Sequence, residues 1–213
     1  MKQVSADNGL LAIPLGASLL AVLALPDVRQ FYEAALVSHM LVQLPLLALA
    51  GWLMGKGLMT MVPESRSTSW NRGGITGLII AIITLLFWML PKSLDAALGD
   101  TGTEVAKFVM LPLCLGLPLA LSWPRAHVLI RGLLKAQFIS MLGVLSFLYT
   151  HAPVRICNNY LVGEQQTAGL LMGGAAIALA AYWGSILVFG PIHLNTFKQL
   201  QLVDWNREVR THG

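Results

Sequence analysis

Charged residues are scarce in this chain. Asp, Glu, Lys and Arg make up 11% of its residues, whereas a soluble domain typically carries about 25%. Hydrophobic residues make up 56%, and the mean hydropathy is +0.69. A chain with so small a polar surface is not expected to be a soluble enzyme, a nucleic-acid-binding protein or a disordered protein. The composition therefore predicts a membrane protein with several spans.

Motifs for catalysis are missing as well. No Ser-His-acid set, phosphate-binding loop or paired carboxylate site is evident, and the Gly73-Gly74 pair is interpreted as a loop-to-helix start. Cysteine occurs twice, at Cys114 and Cys157, and the sequence leaves open whether the two thiols pair. We do not expect this chain to be an enzyme on its own.

Six apolar stretches are long enough to cross a bilayer core, which needs about 20 residues per helix. They are Gly9–Pro26, Tyr32–Gly55, Gly74–Leu90, Lys107–Trp123, Gly132–Thr150 and Thr167–Gly190. The loops between them are short, and no stretch resembles a soluble domain. We therefore predict an all-α fold, a polytopic membrane bundle of about six transmembrane helices over residues 1–190. Residues 191–213 are predicted to form an amphipathic cytoplasmic tail.

The distribution of basic residues predicts the orientation of the bundle. Ten of the 14 Lys and Arg residues lie in the N-terminus, the second and fourth loops and the C-terminal tail, and four lie on the other side. The positive-inside rule then places both termini in the cytoplasm. A secretory signal is the alternative for the first stretch, but Leu23-Ala24-Leu25 is a poor cleavage site, so we expect that span to be retained.

Prolines and small residues indicate how the helices bend and pack. Pro14, Pro45, Pro112 and Pro118 are expected to kink their helices, with a noticeable bend in the fourth. Small residues form one face of the last span and predict close helix packing there; they are Gly169, Gly173, Ala176, Ala180 and Gly184. No internal repeat is evident, which gives no support to an inverted-repeat transporter.

Histidine at membrane depth is the clearest functional candidate, because ionisable groups inside spans are costly unless paired or liganded. His39 lies within the second span, beside Met40, and Gln43 follows at i+4 on the same helix face. Two roles are open: a hydrogen bond to a neighbouring helix, or ligation of a metal.

Further soft or polar donors are predicted at the same, outer side of the membrane. We expect His151, which closes the fifth span, to approach His39 there. Imidazole, thioether and thiolate groups suit copper, and the softer ones favour Cu(I). The remaining donors are Met89, Met110, Cys114, Cys157, Glu164, Gln166 and Met172.

Two segments together resemble a known family. Ser38-His39-Met40-Leu41-Val42-Gln43 resembles the "HM…H" helix of the multi-span cytochrome c oxidase assembly factors of the CtaG type. Glu164-Gln165-Gln166-Thr167-Ala168-Gly169-Leu170-Leu171-Met172 is similar to the "DQQ-x-AG-L-MW" start of a late helix in that family. This chain has Gln43 where the family has a second histidine, Glu164 in place of Asp, and Gly173 in place of the aromatic residue.

The resemblance implies an integral protein of the bacterial inner membrane that handles copper for, or assembles, a respiratory or other redox complex. The predicted metal ligands are His39, Met40, His151 and Cys157. Gln43, Glu164 and Gln166 are predicted to support them. The expected partners are the lipid bilayer and subunits of an oxidase or related redox complex, and no nucleic acid.

Two other functions remain open from the sequence. A non-catalytic subunit that anchors a redox enzyme in the membrane needs no ligands at all. A haem b electron-transfer subunit would use His39 and His151 as axial ligands, and we rank it lower because few inward-facing histidines are available.

Overall fold

Eight helices make up the part of the chain that the computed structural model describes, which is residues 2–61, 71, 73–152, 157 and 159–189. Two of them contain a π-helical segment. In chain order the helices are α1 (Lys2–Ala24), α2 (Pro26–Glu33), α3 (Leu36–Met61), α4 (Ile75–Trp88), α5 (Pro91–Gly99), α6 (Thr101–Ser122), α7 (Val128–His151) and α8 (Val162–Phe189). The predicted tail, residues 191–213, lies outside these ranges.

The helical membrane bundle predicted from composition is confirmed. Helices α3, α6, α7 and α8 are each long and apolar enough to cross a membrane. The pairs α1–α2 and α4–α5 each pass the same test when taken as one bent span, which gives up to six spans in the described part of the chain.

The two bent pairs follow the same plan. A Leu-Pro pair, Leu25-Pro26 or Leu90-Pro91, follows each long helix, and a short helix begins at the proline at an angle of 73° or 71° to the long one. Proline suits the first turn of the new helix, because the N–H that it lacks would be unpaired there. After each bent pair, the next helix is a span with a π-helical segment, α3 in one case and α6 in the other. The order of elements in α1–α3 therefore recurs in α4–α6, although no sequence repeat predicted it.

The π-helical segments explain how two spans accommodate prolines without a sharp break. His39–Gln43 in α3 ends two residues before Pro45, and Leu111–Gly116 in α6 ends two residues before Pro118. A proline ring clashes with the carbonyl four residues earlier, and a widened turn with i→i+5 hydrogen bonds relieves that clash. Helix α6 consequently continues through Pro112 and Pro118 without interruption, and the bend expected there stays a prediction.

Helices α3 and α6 cross in close backbone contact at the centre of the bundle. A Cβ atom on Gly51 would overlap the carbonyl of Pro112, and one on Gly116 would overlap the carbonyl of Ala48. Gly55, one turn after Gly51, faces Ala120 in the same way. Small residues at i and i+4 are the usual means of bringing two membrane helices together.

Helices α7 and α8 form a hairpin beside this core. The small face of α8 packs on α7 at Gly169 and Gly173, which lie against Tyr149 and Ser146. This confirms the packing role for the first part of that face. Ala176 is also buried, whereas Ala180 is exposed and a Cβ atom on Gly184 would meet nothing within 4 Å.

Candidate functional site

Polar side chains converge at one end of the bundle, where α2 ends and α3 begins. Glu33 is the last residue of α2, and His39 and Gln43 begin and end the π-helical segment of α3. Lys107 lies nearly two turns into α6, and Tyr160 comes just before α8. We call these five residues the buried polar cluster. The side chain of Glu33 is 12% exposed, and His39, Gln43 and Lys107 are fully buried.

Lys107 occupies the centre of the cluster. An ammonium group has three N–H donors, and its Nζ lies 2.5 Å from Glu33 Oε1, 3.2 Å from His39 Nε2 and 3.3 Å from Gln43 Oε1. Each donor therefore has an acceptor. A buried charge is tolerated when it is paired and its remaining hydrogen-bonding positions are filled, and Lys107 meets both conditions.

The contacts of Lys107 also assign the proton on His39. Because an ammonium group can only donate, His39 Nε2 must accept, and the imidazole proton is then on Nδ1. Nδ1 lies 2.8 Å from the hydroxyl of Tyr160. That hydroxyl donates in turn to the backbone carbonyl of Glu33 at 3.0 Å. His39 is thus a neutral link between Lys107 and Tyr160.

Tyr160 remains a hydrogen-bond donor under all ordinary conditions. Burial raises the pKa of its phenol, and the Glu33 carboxylate raises it further. The hydroxyl consequently stays protonated and keeps its bond to the Glu33 carbonyl. This bond ties the segment before α8 to the end of α2.

Gln43 joins the two charged members of the cluster. Its Oε1 accepts from Lys107 and its Nε2 donates to Glu33 Oε1 at 3.4 Å. The amide therefore offers an acceptor to the cation and a donor to the anion from one side chain.

An outer ion pair completes the charge balance. Arg29 Nε lies 2.7 Å from Glu104 Oε1 and 3.9 Å from Glu33 Oε2. Arg29 and Glu104 sit one turn before Glu33 and Lys107 on their respective helices. The two carboxylates of Glu33 and Glu104 and the two cations of Arg29 and Lys107 sum to zero, so these four residues together carry no net charge.

We expect Tyr160→Phe to lower the free energy of unfolding by about 1–3 kcal/mol, because it leaves a buried imidazole N–H and a buried carbonyl without partners. Tyr149→Phe is the matched control, since Tyr149 is also buried but its hydroxyl contacts the weaker partner Cys157 Sγ at 3.6 Å. Thermal unfolding in detergent measures both. Equal losses for the two variants would contradict the role given to Tyr160.

The residues predicted as metal ligands lie in different surroundings. His39 belongs to the cluster, and Met40 is 1% exposed in the apolar core. His151 is exposed, hydrogen-bonds Thr150 and stacks on Phe147 of its own helix. Cys157 is buried beside Tyr149. The structure describes no group of three His, Cys, Asp or Glu side chains arranged to hold a metal, and a metal role for these residues stays a prediction.

The expected approach of His39 and His151 is not observed. The buried face of helix α7 is formed by Leu142, Leu145 and Tyr149. His151 follows Tyr149 by two residues, which turns it about 200° away from that buried face. No described contact joins the two imidazoles.

Glu164 and the neighbouring Gln165 have structural partners at the start of α8. Glu164 Oε2 accepts from the backbone N–H of Leu161 at 3.2 Å, at the start of α8. Gln165 is buried and accepts from the Cys157 backbone N–H at 3.5 Å, whereas Gln166 is exposed. The sequence interpretation had assigned the supporting role to Gln166.

The two cysteines are both free thiols. Burial raises the pKa of the Cys157 thiol and the Asp95 carboxylate raises it further, while the hydrogen bond with Tyr149 acts in the opposite direction. The net effect favours the protonated thiol, which is a poorer metal ligand and nucleophile than a thiolate.

Copper does not fit the cluster as its contacts stand. His39 Nδ1 carries the proton that bonds Tyr160, and Nε2 accepts from Lys107. A copper ion at Nε2 would have to displace a buried ammonium group, and the two cations would repel each other. The arrangement instead joins four segments of the chain to one another: α2, α3, α6 and the segment before α8.

Sequence reasoning missed three members of the cluster: Glu33, Lys107 and Tyr160. Lys107 was taken as the charge at the start of the fourth span, but the apolar helix begins earlier, at Thr101. A span that begins at Thr101 has Lys107 inside it, and a lysine inside a span is a candidate for a buried, paired charge.

Comparison with protein-family models, with curated proteins and with solved structures finds no match to this chain.

Proposed function

We propose that this chain is a non-catalytic protein of the bacterial inner membrane that assembles or anchors a redox complex. The observation that supports this proposal is that each N–H donor of the buried Lys107 has an acceptor within the buried polar cluster. A fully satisfied polar network rigidifies a protein, and it leaves no free group for catalysis. Such a site is suited to holding a scaffold in one shape.

The positions of the two resembling segments support the same proposal. The first turn of α3, Leu36–Ser38, packs against α8, so the start of one segment lies beside the helix that carries the other. Tyr160, four residues before Glu164, bonds to His39. The two segments that resemble oxidase assembly factors thus also lie close together in space.

Complementation in the native host tests the assembly role. Loss of the gene is expected to deplete one redox complex on a native gel. Wild type and His151→Ala should restore it, because His151 is exposed. Lys107→Met should fail to restore it even when the variant is present in the membrane at the wild-type level. Restoration by Lys107→Met, or no depleted complex, would refute the proposal.

Copper handling is the competing version, and it is tested on the purified protein. We expect wild type and His39→Ala to retain equal, near-zero copper after Cu(I) is offered and excess is removed. About one copper per chain in wild type, lost in His39→Ala, would favour copper delivery instead. The absence of a Soret band from the purified wild type would remove the haem b alternative.

A further inference from the structure

A cavity of about 400 Å³ lies between the core helices α3, α4 and α6 and the hairpin α7–α8. Its wall is almost entirely carbon and includes Leu44, Ala81 and Leu115 on the core side and Leu134 and Phe138 on the hairpin side. Helix α8 of the hairpin packs against the first turn of α3, beside the buried polar cluster, and the cavity extends away from there toward Lys135 and Trp183.

The cavity has the length of one lipid chain. On α4 its lining runs from Leu78 to Trp88, and on α6 it runs from Leu111 to Trp123, which is next to the end of that helix. At 1.5 Å per residue these stretches are about 15 and 18 Å long. One leaflet of the hydrocarbon core is about 15 Å thick, half of roughly 30 Å.

A cation and two indole rings mark the end of the cavity away from the cluster. Lys135, Trp183 and Trp123 line it there. The Nζ atom of Lys135 lies 5.2 Å from the Trp183 ring. Arg131, one turn before Lys135, donates to the carbonyls of Ala126 and Pro124. Lysine and tryptophan are the residues that contact lipid headgroups at a membrane boundary.

Two basic side chains lie near the end of the cavity away from the cluster. Lys135 lines the cavity, and Arg131 lies one turn earlier on α7. Six acidic side chains lie at the opposite end, beside the cluster: Asp27, Glu33, Asp95, Asp100, Glu104 and Glu164. An anionic headgroup at Lys135 would be attracted by its ammonium group.

We propose that this cavity holds one acyl chain of an anionic phospholipid, with the lipid phosphate against Lys135. The chain fills the carbon-lined space between the core and the hairpin, and the phosphate supplies the anion for the ammonium group. The lipid would act as a filler between α7–α8 and the core helices.

Lipid retention measures this binding on the full-length protein. The protein is exchanged into mixed micelles with equal amounts of phosphatidylglycerol and phosphatidylcholine, repurified, and its lipid is quantified by mass spectrometry. Wild type should retain about fivefold more phosphatidylglycerol, since one cation near the headgroup favours an anionic lipid by about that factor. Lys135→Gln should retain the two lipids equally.

Lys56→Gln is the matched control. Lys56 also lies over an indole ring, 5.5 Å from that of Trp52, but it is exposed and does not line the cavity. This variant should keep the fivefold preference. Loss of the preference in both lysine variants would overturn the proposal, because the selection would then reflect overall charge.

Filling the cavity tests the place of the acyl chain. Ala81 is buried and lines the cavity, and Ala81→Phe should reduce the retained lipid of both classes at least severalfold while the variant still elutes as a folded protein. A matched change outside the cavity, Ala178→Phe on the exposed side of α8, should leave retention unchanged. Equal retention in Ala81→Phe and wild type, or a bound isoprenoid quinone in place of phospholipid, would overturn the assignment.

Discussion

Glu33→Gln is expected to lower the free energy of unfolding by about 3–5 kcal/mol, the usual cost of removing one partner from a buried ion pair. The substitution keeps the shape of the side chain and an acceptor oxygen for Lys107. It removes the carboxylate that balances a fully buried ammonium group. The loss should appear as a lower midpoint in thermal or denaturant unfolding of the protein in detergent.

Glu104→Gln is the matched control for this prediction. Its carboxylate is as little exposed as that of Glu33, at 14% against 12%, but its partner Arg29 is 33% exposed and can be hydrated when the pair is lost. We expect a loss of about 1 kcal/mol or less, as for partly exposed ion pairs. Similar losses for the two glutamates would mean that Lys107 does not depend on Glu33.

The double variant separates charge pairing from packing. Lys107→Met alone leaves the Glu33 carboxylate without its closest cation and should also be strongly destabilising. In Glu33→Gln with Lys107→Met both charges are gone, so the combined loss should be smaller than the sum of the two single losses. Additive losses would show that the two side chains stabilise the protein independently of each other.

The membrane bundle could be predicted from the sequence because it depends on composition and on the length of apolar runs. A span needs about 20 apolar residues wherever it lies in the fold, and that requirement is local. The face shared by His39 and Gln43 also followed from their spacing of four. The structure confirms that both side chains point to one partner, Lys107.

The identity of that partner could not be predicted, because it depends on contacts between distant parts of the chain. Lys107 is 74 residues from Glu33 and 68 from His39. The predicted second span began at Tyr32 and ran through the end of α2, which hid the break between Glu33 and Leu36. Because this break was not predicted, Glu33 was not expected to contact Lys107 and Gln43.

The surroundings of His151 show a second limit. Its position at the end of the fifth span was predicted correctly, since α7 ends at His151. Which way it faces depends on how α7 rotates against its neighbours, and burial of Tyr149 sets that rotation. Hydropathy alone gives little guidance here, because most faces of a membrane helix are apolar.

Gly51→Ala is expected to lower the free energy of unfolding by about 3 kcal/mol, at the upper end of the usual cost of overpacking. The new methyl group would overlap the Pro112 carbonyl, which is backbone and cannot rotate away. Helices α3 and α6 would have to separate. Gly174→Ala is the matched control, because a Cβ there meets nothing within 4 Å, and we expect no loss of stability from it.

The same variant tests whether the helix crossing positions the buried polar cluster. Helix α3 carries His39 and Gln43, and α6 carries Lys107, so separation of these helices should lengthen the bonds to the ammonium group. Glu33→Gln should then cost less in the Gly51→Ala background than in wild type, because the pair is already weakened. An unchanged cost of Glu33→Gln would mean that the cluster is held by α2 and the segment before α8, independently of the crossing at Gly51.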